Sequence, residues 1–339
     1  MPVSRRSTAR SPAAKASQVR DALTISRRIC GRGFSYHGKN GRRIRDSRVI
    51  DRLTRLAVPP AYVDVVYSSD EAAPLQAMGC DAAGRWQYRY HPDVLKMRER
   101  RKSRHLARLL DALPRIRRHV SRVLATEKPT REFAMAAVVT LIDASGIRPG
   151  TSRHLRLSGA RGAVTLLKSN VKVNGKSITL MFKAKGGKQV IKDVRAPRLI
   201  PAIRLLQRLP GPRLFLYRDE DQIRTIRVRD VNGFLRNVAS CNVSLKDFRT
   251  LRASLKVAKA LSRAARGESQ ARRKRQVKEA VQIAADDLAN TVTICRKSYV
   301  HEAVIDAFEK GKLGAGAKAN GRPPPARQIL AEVVSAAER

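Results

Sequence analysis

Between Leu23 and about Pro92 the apolar residues come in short bursts separated by turn residues, a pattern of brief strands rather than long helices. Phe34-Ser35-Tyr36 runs into His37-Gly38-Lys39-Asn40-Gly41, where Asn-Gly favours a tight hairpin turn. Val63–Tyr67, Leu75–Ala77 and Trp86–Tyr90 follow as strands, with one short helix over Ser47–Leu56 that ends before Pro59-Pro60. From about Leu113 the spacing changes. Arg131–Ser145 repeats its apolar positions at helical intervals and stops at Gly146. Val164–Leu167, Val171–Val173, Ile178–Phe182 and Gln189–Ile191 read as short strands, with turns at Asn174-Gly175 and Gly186-Gly187. Helices then dominate, over Arg198–Leu209, Arg227–Val238, Asp247–Arg266, Arg272–Ala289 and Val300–Glu309. The expected fold class is α+β, a small β-rich N-terminal lobe followed by a larger, mainly α lobe.

The stretches between these patterns divide the chain. Residues 1–17 are a basic arm without periodicity, expected to be disordered, and 18–92 form the first lobe. Eleven Lys and Arg lie between Lys96 and Arg122 on a helix-forming background that Pro114 interrupts, so 93–112 is expected as a basic hinge. The second lobe spans 113–310. Residues 311–339 begin rich in Gly, Ala, Lys and Pro and are expected as a flexible tail, with a last helix near Ile329–Ala337.

Charge changes the picture most. The chain carries 71 Lys and Arg against 28 Asp and Glu, a net +43, and self-repulsion of that size calls for a polyanionic partner, most commonly nucleic acid. With 42% hydrophobic residues it has enough apolar mass for real cores. Cys30, Cys80, Cys241 and Cys295 are scattered, which excludes the common zinc-ribbon spacings and suits reduced thiols. There is no apolar run long enough to span a bilayer, no apolar core of a secretion signal and no Walker-type phosphate loop. The expectations are a nucleic-acid partner, no membrane, no nucleotide cofactor, no zinc-ribbon metal site, and a cytoplasmic, nucleoid-associated location.

Against that background Tyr299 stands out, because it follows Arg296 and Lys297 in Cys295-Arg296-Lys297-Ser298-Tyr299. A phenol is a weak nucleophile at its ordinary pKa of about 10. Arginines beside a phosphate favour its anion and stabilise the charge that develops on attack. Arg148 in Gly-Ile-Arg-Pro-Gly and Arg249 in Lys-Asp-Phe-Arg-Thr can supply bidentate forks to phosphate oxygens. Lys185, at a hairpin tip in Phe-Lys-Ala-Lys-Gly-Gly-Lys, can protonate a departing alkoxide. Each residue alone is more often a packing residue or a surface charge; their order along the chain is what suggests a tyrosine aimed at a DNA phosphodiester.

The chain resembles type IB DNA topoisomerases of the poxvirus-like kind found in bacteria, over about residues 25–312. The likeness is carried by Pro59-Pro60-Ala61-Tyr62, by Gly84-Arg85-Trp86-Gln87-Tyr88-Arg89-Tyr90-His91-Pro92, and by Gly146-Ile147-Arg148. Lys246-Asp247-Phe248-Arg249-Thr250 and Cys295-Arg296-Lys297-Ser298-Tyr299 complete it. The resemblance implies a catalytic lobe of the tyrosine recombinase/topoisomerase kind and a C-shaped clamp around duplex DNA, which needs no second copy of the chain. It implies a 3′-phosphotyrosyl link at Tyr299, Arg148 and Arg249 on the non-bridging oxygens, Lys185 as proton donor, and no need of a metal. It also implies DNA contacts from Gln87, Tyr88 and Tyr90, and Lys246, Arg296 and Lys297 are further candidates for DNA binding. Where viral and eukaryotic relatives carry a histidine, this chain has Asn290, as bacterial relatives commonly do. An amide can donate a hydrogen bond to a phosphate oxygen but cannot carry charge; equally, Asn290 could cap a helix in the left-handed conformation.

Two other classes stay in view. A tyrosine recombinase would share the chemistry, but usually shows His-x-x-Arg where this chain has Lys246-x-x-Arg249, and begins with a helical rather than a β-rich domain. A non-enzymatic basic DNA-binding protein would need only the charge.

Overall fold

A computed structural model describes residues 22–313 and 324–337. The arm expected at 1–17 lies outside them. The chain divides into two compact units, Met1–Glu99 and Arg100–Arg339.

The first unit is an antiparallel sheet of β1 (Ile25–Cys30), β2 (Gly33–His37), β3 (Val63–Tyr67), β4 (Leu75–Cys80) and β5 (Trp86–Tyr90), in the order β2-β1-β3-β4-β5. β1, which the polar run Ser26-Arg27-Arg28 disguises, pairs with β2 across a turn at Gly31 (φ 57°). Side chains alternate across the sheet as pleating requires. Val65 and Tyr67 join Ile25, Tyr36, Leu53 and Ala77 in one cluster, while Val66 joins Leu23 and Met78 in another, with Trp86 packed against it. Helix α1 (Ser47–Arg55) brings Leu53 to the first cluster and starts where Asp46 accepts the amides of Arg48 and Val49.

Helix α2 (Pro92–Leu124) covers the whole segment expected as a hinge. Its residues from Arg100 on belong to the second unit, and Leu106, Leu109, Leu113, Ile116 and Val120 are buried there. The helix runs through Pro114 rather than breaking. A proline leaves the carbonyl four residues back without its helical donor, and here the Leu110 carbonyl accepts from the Arg327 guanidinium at 3.0 Å. Arg327 lies on the C-terminal helix Ala326–Ala336, whose Ile329, Leu330 and Val334 are buried. The segment expected as a flexible tail therefore includes a packed helix.

Helix α3 (Arg131–Ser145) is apolar nearly all round and buried continuously from Phe133 to Val139, making it the central helix of this unit. Around it follow α4 (Ser152–Ser158), the antiparallel strands β6 (Val171–Asn174), β7 (Ser177–Lys183) and β8 (Gln189–Val194), and α5 (Ile200–Arg208). The hairpin β9 (Leu216–Asp219) and β10 (Gln222–Thr225) precedes α6 (Val228–Ala239), α7 (Leu245–Arg263), α8 (Gln270–Asp287), α9 (Val292–Tyr299), α10 (Glu302–Glu309) and α11, the Ala326–Ala336 helix. The strand expected at Val164–Leu167 is instead a 3₁₀ turn, Ala163–Thr165, with Leu167 bridging Arg213. Among the described residues no helix is long and apolar enough to cross a membrane.

Candidate active site

Four of the five residues singled out for catalysis come together where α3, α7, α8 and α9 end or begin. Helix α3 stops at Gly146, whose φ of 68° is left-handed. A side chain there would also collide, since a Cβ would lie 2.5 Å from the Arg252 side chain and 2.8 Å from that of Leu288. The chain turns at this point and presents Arg148. The Arg148 carbonyl accepts from Ala163 at 2.8 Å and that of Pro149 from Val164 at 2.9 Å, so the loop is held from below.

Arg249 arrives from α7. Asp247 accepts the Ser244 amide at 2.8 Å and fixes the helix start, Phe248 is buried, and Arg249 points inward with 1% of its surface exposed. It donates to the carbonyls of Gly146 and, at 3.3 Å, Leu288, and its guanidinium carbon lies 4.7 Å from the centre of the Tyr299 ring. Burial pulls this guanidinium below its ordinary pKa, the Tyr299 phenol pushes it back up, and Arg148 lowers it again.

Asn290 sits just beyond α8. The left-handed residue is Ala289 (φ 51°), not Asn290, so the cap role expected as an alternative belongs to its neighbour. The buried Asn290 side chain accepts from Arg148 through Oδ1. Thr291 then caps α9 by accepting the Ile294 amide at 3.3 Å. Tyr299 is the last residue of α9, not a residue ahead of a helix from Val300 as the apolar pattern suggests; α10 starts at Glu302. Two donors of this cluster, Arg249 Nε and Asn290 Nδ2, are buried without a hydrogen-bond partner.

The other candidates are placed differently. Lys185 occupies a 3₁₀ turn between β7 and β8, exposed beside Gly186 and Gly187 (φ 80° and 76°), and it is not drawn into the cluster. Lys246, Arg296 and Lys297 are exposed, Arg296 pairing with Glu302 at 3.0 Å. In the first unit Tyr88 and Tyr90 stack with centroids 6.2 Å apart, as their spacing along one strand implies. Arg98 covers the Tyr90 ring at 3.7 Å, and Gln87 donates to Asp81 at 2.9 Å.

The sequence pattern did not point to Asp287. Its carboxylate takes a bidentate contact from Arg252, accepts Lys192 Nζ at 3.0 Å and lies 3.6 Å from Lys256. Lys192 also reaches the Asp287 carbonyl at 2.6 Å, and Arg252 donates to the Ala144 carbonyl at 2.8 Å. Burial raises the Asp287 carboxyl, but Arg252 and Lys192 outweigh it and hold it at about 2. Lys192 is pulled below its ordinary pKa by burial, with Asp287 opposing. One signal was available: Arg252 follows Arg249 by three residues, on the same helical face, and needs a carboxylate if it too is buried.

Comparison with known proteins fits this geometry. A family model described as the catalytic core of eukaryotic DNA topoisomerase I matches residues 92–318, the stretch that carries the whole cluster. A second, for the N-terminal domain of bacterial DNA topoisomerase IB, matches residues 33–81. The DNA topoisomerase 1B of Acanthamoeba polyphaga mimivirus is 28% identical over 293 residues, which cover 84% of this chain and 87% of that protein. Since the first match spans most of the chain and the second accounts for the sheet ahead of it, the chain belongs to the type IB DNA topoisomerase family, enzymes whose substrate is DNA.

Proposed function

We propose that the enzyme relaxes supercoiled duplex DNA through a 3′-phosphotyrosyl intermediate at Tyr299. The Tyr299 phenol gives up its proton to solvent, the phenolate oxygen attacks a backbone phosphorus, a P–O(Tyr) bond forms, and the P–O5′ bond breaks. The 5′-oxygen leaves with a proton from Lys185. The broken strand swivels, and the 5′-hydroxyl then attacks phosphorus, expels the phenolate and returns its proton. Bond energy is kept in the covalent link, so the cycle consumes no nucleotide. Arg148, Arg249 and Asn290 hold the non-bridging oxygens, where preorganised donors act on charge as it develops.

The observation that supports this most is the pair of buried donors without partners: Arg249 Nε, on the guanidinium that lies 4.7 Å from the Tyr299 ring, and Asn290 Nδ2, on the amide whose oxygen accepts from Arg148. Buried polar hydrogens seldom stay unpaired, and two of them in the cluster that also holds Arg148 suit an anionic group with several acceptor oxygens. Lys185 reaches the reaction from its exposed hairpin tip on this proposal. Gln87, Tyr88 and Tyr90 contact the duplex from β5, and Lys246, Arg296 and Lys297 contact phosphates. The enzyme works as a monomer on the DNA of the cytoplasmic nucleoid.

Tyr299→Phe tests the assignment, because it removes one oxygen and leaves the ring under Arg249. The variant should bind DNA with unchanged affinity, relax no plasmid and leave no protein-linked DNA after detergent trapping. Relaxation at a substantial fraction of the wild-type rate would place the nucleophile elsewhere.

A further inference from the structure

The three backbone positions from Tyr299 onward are each gripped from outside their own helix. Ser254, on α7, donates its hydroxyl to the Tyr299 carbonyl at 3.3 Å and accepts the His301 amide at 3.1 Å. Lys102, on α2, donates to the Val300 carbonyl at 2.8 Å. Ser103, the next residue of α2, meets His301 Nε2 at 2.8 Å. The His301 ring is 2% exposed and its other nitrogen accepts the Ala303 amide at 3.3 Å, capping α10. With Nδ1 accepting, the neutral ring carries its proton on Nε2 and donates it to Ser103. Ser254 is fully buried, as is the Val300 side chain between the two gripped residues.

We propose that Ser103 and His301, with Lys102 and Ser254, are positioning residues that lock the backbone behind Tyr299 and so set where its phenol stands against the scissile phosphate. None of the four touches the reacting atoms in this scheme. A nucleophile at the very end of a short helix has no helical turn after it to fix its direction. Hydrogen bonds to residues 299, 300 and 301 from two other helices supply that constraint. Burial, and then the nearby Lys102 charge, hold His301 down at about 4, so the ring is neutral at physiological pH and its Nδ1 lone pair stays available. The lock acts in both directions of the reaction, because the same phenol oxygen must be in line with the 5′-oxygen for cleavage and for resealing.

The proposal rests on Tyr299 as the nucleophile, and its test keeps the two apart. Single-turnover cleavage and resealing are measured on a nicked suicide substrate, beside DNA affinity and thermal melting, for Ser103→Ala, His301→Asn and the double variant. Asparagine can still accept the Ala303 amide but does not reach Ser103. Both single variants should slow cleavage and resealing alike, on the order of 10- to 100-fold for a displaced nucleophile, with DNA affinity unchanged and the cleavage equilibrium unmoved. The double variant should be no slower than the slower single one, since both remove the same bond. Cleavage at the wild-type rate by folded Ser103→Ala overturns the lock, as does a loss matched by weaker DNA binding or two losses that multiply in the double variant. Should His301→Asn not fold, Lys102→Met takes its place, with the same loss expected through the Val300 carbonyl and a wild-type rate again counting against the lock. A covalent adduct formed by Tyr299→Phe would instead overturn the nucleophile assignment.

Discussion

Lys185 stands exposed at a hairpin tip while Arg148, Arg249 and Asn290 are already gathered near Tyr299, and the difference separates their roles. General-acid help to an alkoxide leaving group is typically worth about 10²–10⁴-fold. Lys185→Ala should slow cleavage of ordinary DNA by that order and recover on a substrate whose scissile 5′-oxygen is sulfur, because a thiolate leaves without a proton. Arg148→Ala and Arg249→Ala should recover far less, since charge on the non-bridging oxygens is present in both substrates. An equally slow Lys185→Ala on the sulfur substrate would make Lys185 a phosphate clamp rather than an acid. Arg148, Arg249 and Tyr299 were visible in the sequence through their order along the chain, and Asn290 through the family resemblance. Asp287 was not, because an aspartate beside another aspartate near a helix end reads as a solvated pair; only the fold shows three cations converging on it.

At the scale of elements, Asp287 joins the end of α8 to α7 through Arg252 and to β8 through Lys192, directly ahead of the turn that carries Asn290. Its folded pKa of about 2 lies below the ordinary 3.8. The carboxylate therefore adds stability that is fully present above about pH 4 and is lost as pH falls through about 2. By linkage this amounts to about 2 kcal/mol. Asp287→Asn should lower stability by at least that order at neutral pH, where Lys192 and Arg252 lose their counter-charge, and the gap to wild type should close as the pH drops from 4 to 2 in chemical denaturation. A constant gap across that range would mean the carboxylate charge is not what binds these elements. Strands β2 to β5 of the first unit and helices such as α3, α7 and α8 of the second were legible from their apolar residues, whereas β1 was disguised by Ser26-Arg27-Arg28. The pattern misled where local signals and tertiary partners disagreed. Pro114 reads as a break until Arg327 supplies the missing donor to Leu110, and α9 was hidden because its eight residues bury only Cys295. The hairpin of β9 and β10 shows little apolar alternation for the same reason, with Gln222, Arg224 and Thr225 all exposed.

For the whole molecule the dominant quantity is charge. A net +43 on a chain that binds a polyanion means that affinity arises largely from released counterions. Log affinity should fall linearly with log salt, with a slope of about −0.9 for each phosphate contacted. Filter binding or anisotropy across a salt series measures it, and a nearly flat line would reduce the basic stripe of α2 to solvated surface. The two units also differ in a way that has an optical consequence. The chain has a single tryptophan, Trp86, at the start of β5 and packed beside Leu23, Val66 and Met78. Indole emission therefore arises from the first unit alone, next to Gln87, Tyr88 and Tyr90, and the unit that carries Tyr299 contributes none. If β5 contacts the duplex as proposed, a stopped-flow trace at indole wavelengths should follow DNA arrival there, while adduct formation is followed separately on gels. Engagement and bond breaking can thus be timed as two clocks in one unlabelled protein, and Tyr299→Phe should silence the second without altering the first.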